Sequence, residues 1–112
     1  MPPEIKRKTE KAATVYLEMR GFKIIEKNWS RAKSKIHIIA QKDQLMHFIE
    51  IKYQDSSSSQ SIETITESKL KQMHLASYVW LGESKWSGEY MFSTIELTGP
   101  SFTVVAFNEN VT

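Results

Sequence analysis

Phe48-Ile49-Glu50-Ile51-Lys52, inside the longer run Leu45 to Tyr53, is the stretch whose reading decides the fold. It is rich in β-branched and aromatic residues, which places it on a strand. Side chains alternate along a strand, so Phe48, Glu50 and Lys52 point one way and His47, Ile49 and Ile51 the other. The strand is apolar enough to be central in a sheet. Two charged side chains on one face of such a strand are costly to desolvate unless they pair or bind an ion. A carboxylate there can hold Mg²⁺, and a lysine beside it can position water or stabilise phosphoryl charge. Glu-x-Lys is by itself a weak signal, because a strand-end ion pair at a sheet surface has the same sequence.

The segment before it supplies context. Ile36 to Ala40 reads as a neighbouring strand, with Gln41-Lys42-Asp43-Gln44 as the turn between the two. A two-residue turn at Lys42-Asp43 sets Gln41 opposite Gln44, His37 opposite Phe48 and Lys35 opposite Glu50. In that register Lys35, His37, Glu50 and Lys52 share a face. A slip of one residue would send the side chains of Ile36 to Ala40 to the other side.

Outward from this pair, Glu4 to Arg20 carries apolar residues at helical spacing (Ala12, Ala13, Tyr16, Leu17, Met19), and Gly21 sits where a helix ends. Phe22 to Trp29 reads as a further strand, making an antiparallel meander of three. Asp55 and serines 56 to 59 form a loop, followed by an amphipathic helix over Ser61 to Leu81 whose inner face includes Ile62, Ile65, Leu70, Met73, Ser77 and Val79. Tyr90 to Leu97 and Phe102 to Phe107 are two more strands around Thr98-Gly99-Pro100-Ser101. The order α-β-β-β-α-β-β over residues 1 to 112 predicts one α/β domain, a mixed central sheet flanked by two helices.

Composition fits a soluble globular protein: 112 residues, 40% hydrophobic and 25% charged. With no cysteine there are no disulfides or thiolate metal sites, so a metal here would be held by oxygen or imidazole. No apolar run is long enough to span a membrane and the N-terminus is unlike a signal peptide, so a cytoplasmic location is expected. The net charge of +2 hides an asymmetry: residues 1–35 hold ten Lys or Arg against four Glu, and residues 36–112 hold five against nine acids. One basic face able to follow a phosphate backbone is one explanation, and a solvated basic helix stripe is the other.

From about Thr9 to Phe107 the chain resembles the YraN-like proteins, a bacterial family assigned to the PD-(D/E)xK, or restriction-endonuclease-like, fold. The resemblance rests on Glu10, Ala13, Tyr16-Leu17, Gly21-Phe22, Asn28-Trp29, Ile38-Ile39-Ala40, Phe48-Ile49-Glu50-Ile51-Lys52, Lys69, Ala76, Tyr78 and Phe92, collinear and without insertion from Asn28 to Lys52. It implies a restriction-endonuclease-like core and an ancestral role on nucleic acid, with DNA the expected partner. The family pattern has Gly-Glu-Ile-Asp where this chain has Ser34-Lys35-Ile36-His37, so both acids of that segment are replaced. Ser30, Gln54 and Met91-Phe92-Ser93 also depart from it. The hydrophobic positions survive, whereas these polar site positions do not.

The usual site implied by the family offers Mg²⁺ an aspartate, the motif glutamate and a backbone carbonyl, with a glutamate of the first helix nearby. This chain retains Glu50, the Ile51 carbonyl and Glu10, with His37 in the aspartate's place. Imidazole weakens Mg²⁺ binding and is accepted by softer ions such as Mn²⁺ or Zn²⁺. Alternatively Lys35 neutralises Glu50 and closes the site. Three functions are therefore open. The first is a catalytically impaired or inactive relative that binds nucleic acid through Arg31, Lys33, Lys35 and the basic first helix. The second is an active Mg²⁺- or Mn²⁺-dependent endonuclease using Glu50 and His37 as metal ligands, Lys52 to assist the water, and Glu10 to complete the site. The third is a protein-interaction module using exposed aromatics such as Trp86. His47 and His74 are expected to be surface or boundary residues. A two-fold dimer is common among nucleases that cut both strands, but no surface in the sequence announces one.

Overall fold

The computed structural model describes residues 2–31, 33–55 and 66–111. Helix α1 spans Pro3–Met19. Proline at its start needs no backbone partner there. Its end is fixed by the Phe22 N–H donating to the Leu17 carbonyl and by Gly21 at φ +89°, a conformation that favours glycine. Thr9, Ala13 and Leu17, four residues apart, form the buried stripe.

The sheet has five strands: β1 (Lys23–Arg31), β2 (Ser34–Lys42), β3 (Leu45–Gln54), β4 (Glu89–Thr98) and β5 (Thr103–Asn108). They lie side by side in sequence order. All neighbours are antiparallel except β3 and β4, which run parallel over their full paired length. A parallel pair needs a crossover, and α2 (Glu67–Ser84) supplies it. Thr66 caps α2 by accepting the Lys69 N–H at 3.1 Å, and Lys85 in a left-handed conformation closes its other end. This mixed sheet with two helices is the α/β arrangement of a restriction-endonuclease-like core.

The helices cover opposite faces. Ala13, Leu17, Ile38, Ile49 and Ile95 pack together under α1. Trp29, Phe48, Met73, Ala76, Trp80 and Phe92 pack under α2. Glu50 therefore projects into the α2 layer and His47 into the α1 layer, as alternation requires.

Several local expectations are corrected. The β2–β3 turn is Asp43-Gln44, with Lys42 opposite Leu45, Ile39 opposite Phe48 and Ile38 opposite Ile49. Moving a two-residue turn by one position shifts the pairing by two. That shift alone turns no side chain over, but extending this register brings His37, not Lys35, level with Glu50, and Lys35, expected on the Glu50 face, lines a cavity on the α1 side instead. Helix α2 starts at Glu67 and continues past Gly82; the expected helical residues 61–65 lie outside the described residues, as do the serines at 56–59. Val79 is exposed rather than inward-facing, while Ser77 is buried. Strand β1 carries a bulge between Ile24 and Glu26 and a left-handed Asn28.

Candidate functional site

Glu50 is a buried carboxylate, 6% exposed, and each of its oxygens faces a nitrogenous partner. Oε2 accepts from Lys69 Nζ at 2.9 Å, and Oε1 lies against His37 Nδ1. The cation on Glu50 is thus Lys69 from α2, and the expectation that Lys35 would neutralise it is corrected. The sequence held a signal for this. Lys69, Met73, Ala76 and Trp80 follow one another at helical spacing, so Lys69 sits on the stripe that α2 turns toward the sheet.

His37 reaches its position because β2 breaks its alternation. Ile36 joins the α2-side cluster, whereas Ile38 joins the α1-side cluster. The left-handed Asn28 lies directly across from this break, between the pairs Lys27–Ile38 and Trp29–Ile36. Asparagine tolerates that conformation better than most residues. Beside the end of β3, His37 Nδ1 accepts the Ile51 N–H at 2.9 Å. Burial, reinforced by Lys69, Lys35 and Lys6 and opposed by Glu10, pushes the His37 pKa from 6.5 down to about 4. The ring is therefore neutral at physiological pH, and its contact with Glu50 is not an ion pair. Burial also lowers the pKa of Lys69, which remains the partner that balances the carboxylate.

On the α1 side a cavity of about 290 Å³ opens between α1, β1 and β2, lined by Lys6, Thr9, Glu10, Asn28, Lys35 and His37, with Ile51 at its base. Glu10 accepts a hydrogen bond from the Asn28 side-chain amide. His37 is shared between this cavity and Glu50. Glu10 lines the cavity and Glu50 does not. No group of three or more His, Asp or Glu side chains converges among the described residues.

This arrangement bears on the metal that the fold implies. A hard divalent cation needs several oxygen ligands. Here one carboxylate oxygen is engaged by an ammonium group and the other meets an imidazole nitrogen that already accepts a backbone N–H. The residues as arranged do not suit Mg²⁺.

The remaining sequence candidates are placed as follows. Lys52 lies two residues beyond Glu50 on β3, partly buried and in register with Glu96 of β4. Arg31 pairs with Glu83 at 3.1 Å and sits 5.0 Å from the centre of the Trp29 ring. Lys33 is exposed, and its carbonyl accepts from the Gln72 side chain. Lys35 lies beside Lys6 in the cavity. His47 is fully buried, contrary to expectation, hydrogen-bonded to the equally buried Ser93 at 3.2 Å and packed edge-on against Phe22. That burial makes the His47–Ser93 pair a core element. His74 is a boundary residue with its ring 4.2 Å from that of Phe92. Trp86 is not a free platform: its Nε1–H donates to the Glu89 carbonyl and its ring packs on the α2-side core.

Residues 9–107 match the model of the family described as "Uncharacterised protein family UPF0102". A UPF0102 protein of a Sulfurovum species is 33% identical over 106 residues, covering 94% of this chain and 90% of the relative. One from Cytophaga hutchinsonii is 32% identical over 96 residues, covering 85% of each chain, and one from a Nitratiruptor species is 43% identical over 70 residues, covering 62% of this chain and 61% of the relative. The fold is that of a restriction-endonuclease-like α/β protein. Within that class the chain belongs to the UPF0102, or YraN-like, family. No helix among the described residues is long and apolar enough to cross a membrane.

Proposed function

We propose that this protein binds nucleic acid, with DNA the expected form, through the basic face of α1 and β2, and that its hydrolytic site is impaired because Lys69 takes the place of the metal. The observation that carries this reading is the Lys69 ammonium group held 2.9 Å from Glu50 Oε2. A divalent cation neutralises a carboxylate and also polarises phosphoryl oxygen and activates water. A lysine ammonium does only the first. The surplus of cations in residues 1–35 supports retained attraction for a phosphate backbone.

The test is binding of labelled single-stranded, duplex and branched oligonucleotides in EDTA and in Mg²⁺ or Mn²⁺, together with a cleavage assay. The reading expects salt-sensitive binding that survives EDTA, and no cleavage. Cleavage abolished by Glu50→Ala would establish the active endonuclease with altered metal preference instead. Absence of binding at low salt would favour an interaction module, for which the exposed Leu75, Tyr78 and Val79 of α2 offer a better surface than Trp86.

A further inference from the structure

The cavity on the α1 side contains two lysines and no metal-binding cluster. Lys6 comes from the first half of α1 and Lys35 from β2, and both line the same space of about 290 Å³. Among the described residues neither has a carboxylate within ion-pair distance, although Lys8, Arg31 and Lys69 all do. Two ammonium groups are instead held beside one another, and this proximity, chiefly a side-chain contact with Lys6, lowers the Lys35 pKa. Like charges converging in a cavity destabilise the free protein and become favourable once an anion lies between them.

We infer that this cavity is a metal-independent phosphate site, in which Lys6 and Lys35 together hold one phosphodiester oxyanion of a nucleic-acid strand. The inference rests on the nucleic-acid reading above and specifies where the strand is gripped. The charge balance selects the ligand. Lys6 and Lys35 contribute two positive charges and Glu10 one negative, and Lys69 is balanced by Glu50. The excess of one positive charge matches an internal diester monoanion better than a terminal phosphate dianion. Thr9 is not a competing ligand, because its hydroxyl already donates to the Ile5 carbonyl at 2.6 Å. The Glu10 carboxylate is held by Asn28, which restrains it from folding onto the lysines.

Lys6→Gln and Lys35→Gln, made singly, test this in EDTA with a fluorescent duplex whose affinity is followed against salt. Each substitution is expected to reduce the slope of log affinity on log salt by about 0.9 and to weaken low-salt binding about tenfold. Lys85→Gln, at the far end of α2, should change both much less. Thermal melting supplies a readout of opposite sign: removing one of two repelling lysines should leave the melting temperature unchanged or raise it, whereas loss of a merely structural lysine would lower it. If the unmutated protein binds but both variants keep its slope and affinity, the phosphate site is refuted while the nucleic-acid reading stands. Failure of the unmutated protein to bind at low salt refutes both. Dependence of binding on a 5′-phosphate would overturn the internal diester in favour of a strand end. Inorganic phosphate shifting the amide resonances around Lys6 and Lys35, with no oligonucleotide bound, would overturn the nucleic-acid source.

Discussion

Replacing Lys69 by methionine isolates the contact on which the account depends. The substitution keeps most of the side-chain volume and deletes the charge 2.9 Å from Glu50 Oε2. It leaves a carboxylate whose side chain is 7% exposed beside a neutral imidazole. Removing one partner of a fully buried pair destabilises by about 3–5 kcal/mol, but Lys69 keeps 32% of its side chain in contact with solvent, so about 2–3 kcal/mol is expected. For a domain of this size that lowers the melting temperature by about 10–15 °C. Chemical denaturation of the unmutated protein, Lys69→Met, Glu50→Gln and the double variant closes a thermodynamic cycle. A coupling energy above about 1 kcal/mol is expected, with the double variant more stable than Lys69→Met alone, because no uncompensated charge remains. Loss below about 0.5 kcal/mol in Lys69→Met, or the same loss when Glu50 is already glutamine, would refute the reasoning.

Three further outcomes follow from the same structure. His37 is held neutral with a pKa of about 4 against 6.5 when unfolded, so between these values the unfolded chain binds the extra proton; stability is full above about pH 6.5 and falls by about 2–3 kcal/mol as pH drops toward 4. His47 shifts in the same direction, so His37→Gln should flatten denaturation midpoints measured across that window only in part, and an unchanged pH profile would contradict the assignment. Leu17→Ala, at a fully buried position under α1, should destabilise by about 2–5 kcal/mol in urea melts, while Met19→Ala, 79% exposed, should stay within about 0.5 kcal/mol. A Cβ at Gly99 would sit 2.0 Å from the Tyr53 hydroxyl, so Gly99→Ala should lose about 1–3 kcal/mol, and Tyr53→Phe in the same chain should recover part of it; no loss would mean that Tyr53 moves freely.

What the sequence made legible were features with a strong period or a tight local rule. The α1 stripe through Ala13 and Leu17, the apolar alternation of β3, and the glycine after α1 each have one cheap structural solution, and element order then constrains the sheet. The proximity of Glu50 and His37 was legible because a two-residue error in register leaves faces unchanged, but the break in β2 between Ile36 and Ile38, which takes Lys35 off that face, was not. The identity of the residue opposite Glu50 was not, since it depends on which two residues occupy the turn, and Asp43 at φ 56° decides that. Lys69 was hidden for a different reason. A charged residue on a helix is ordinarily assigned to solvent, and only its place on the Met73–Ala76–Trp80 stripe marks it as inward-facing. His47 was misjudged because Ser93, which satisfies its ring nitrogen inside the core, lies on a strand 46 residues away. Polar contacts of that range leave no periodic trace.

The most direct test of the closed site is calorimetric titration of metal-free protein with Mg²⁺ and Mn²⁺, carried out on the unmutated chain, Lys69→Ala and Glu50→Ala. The account predicts no site-specific uptake by the unmutated protein, and Mn²⁺ uptake by Lys69→Ala once the ammonium group is gone. Stoichiometric uptake by the unmutated protein that disappears in Glu50→Ala would contradict it.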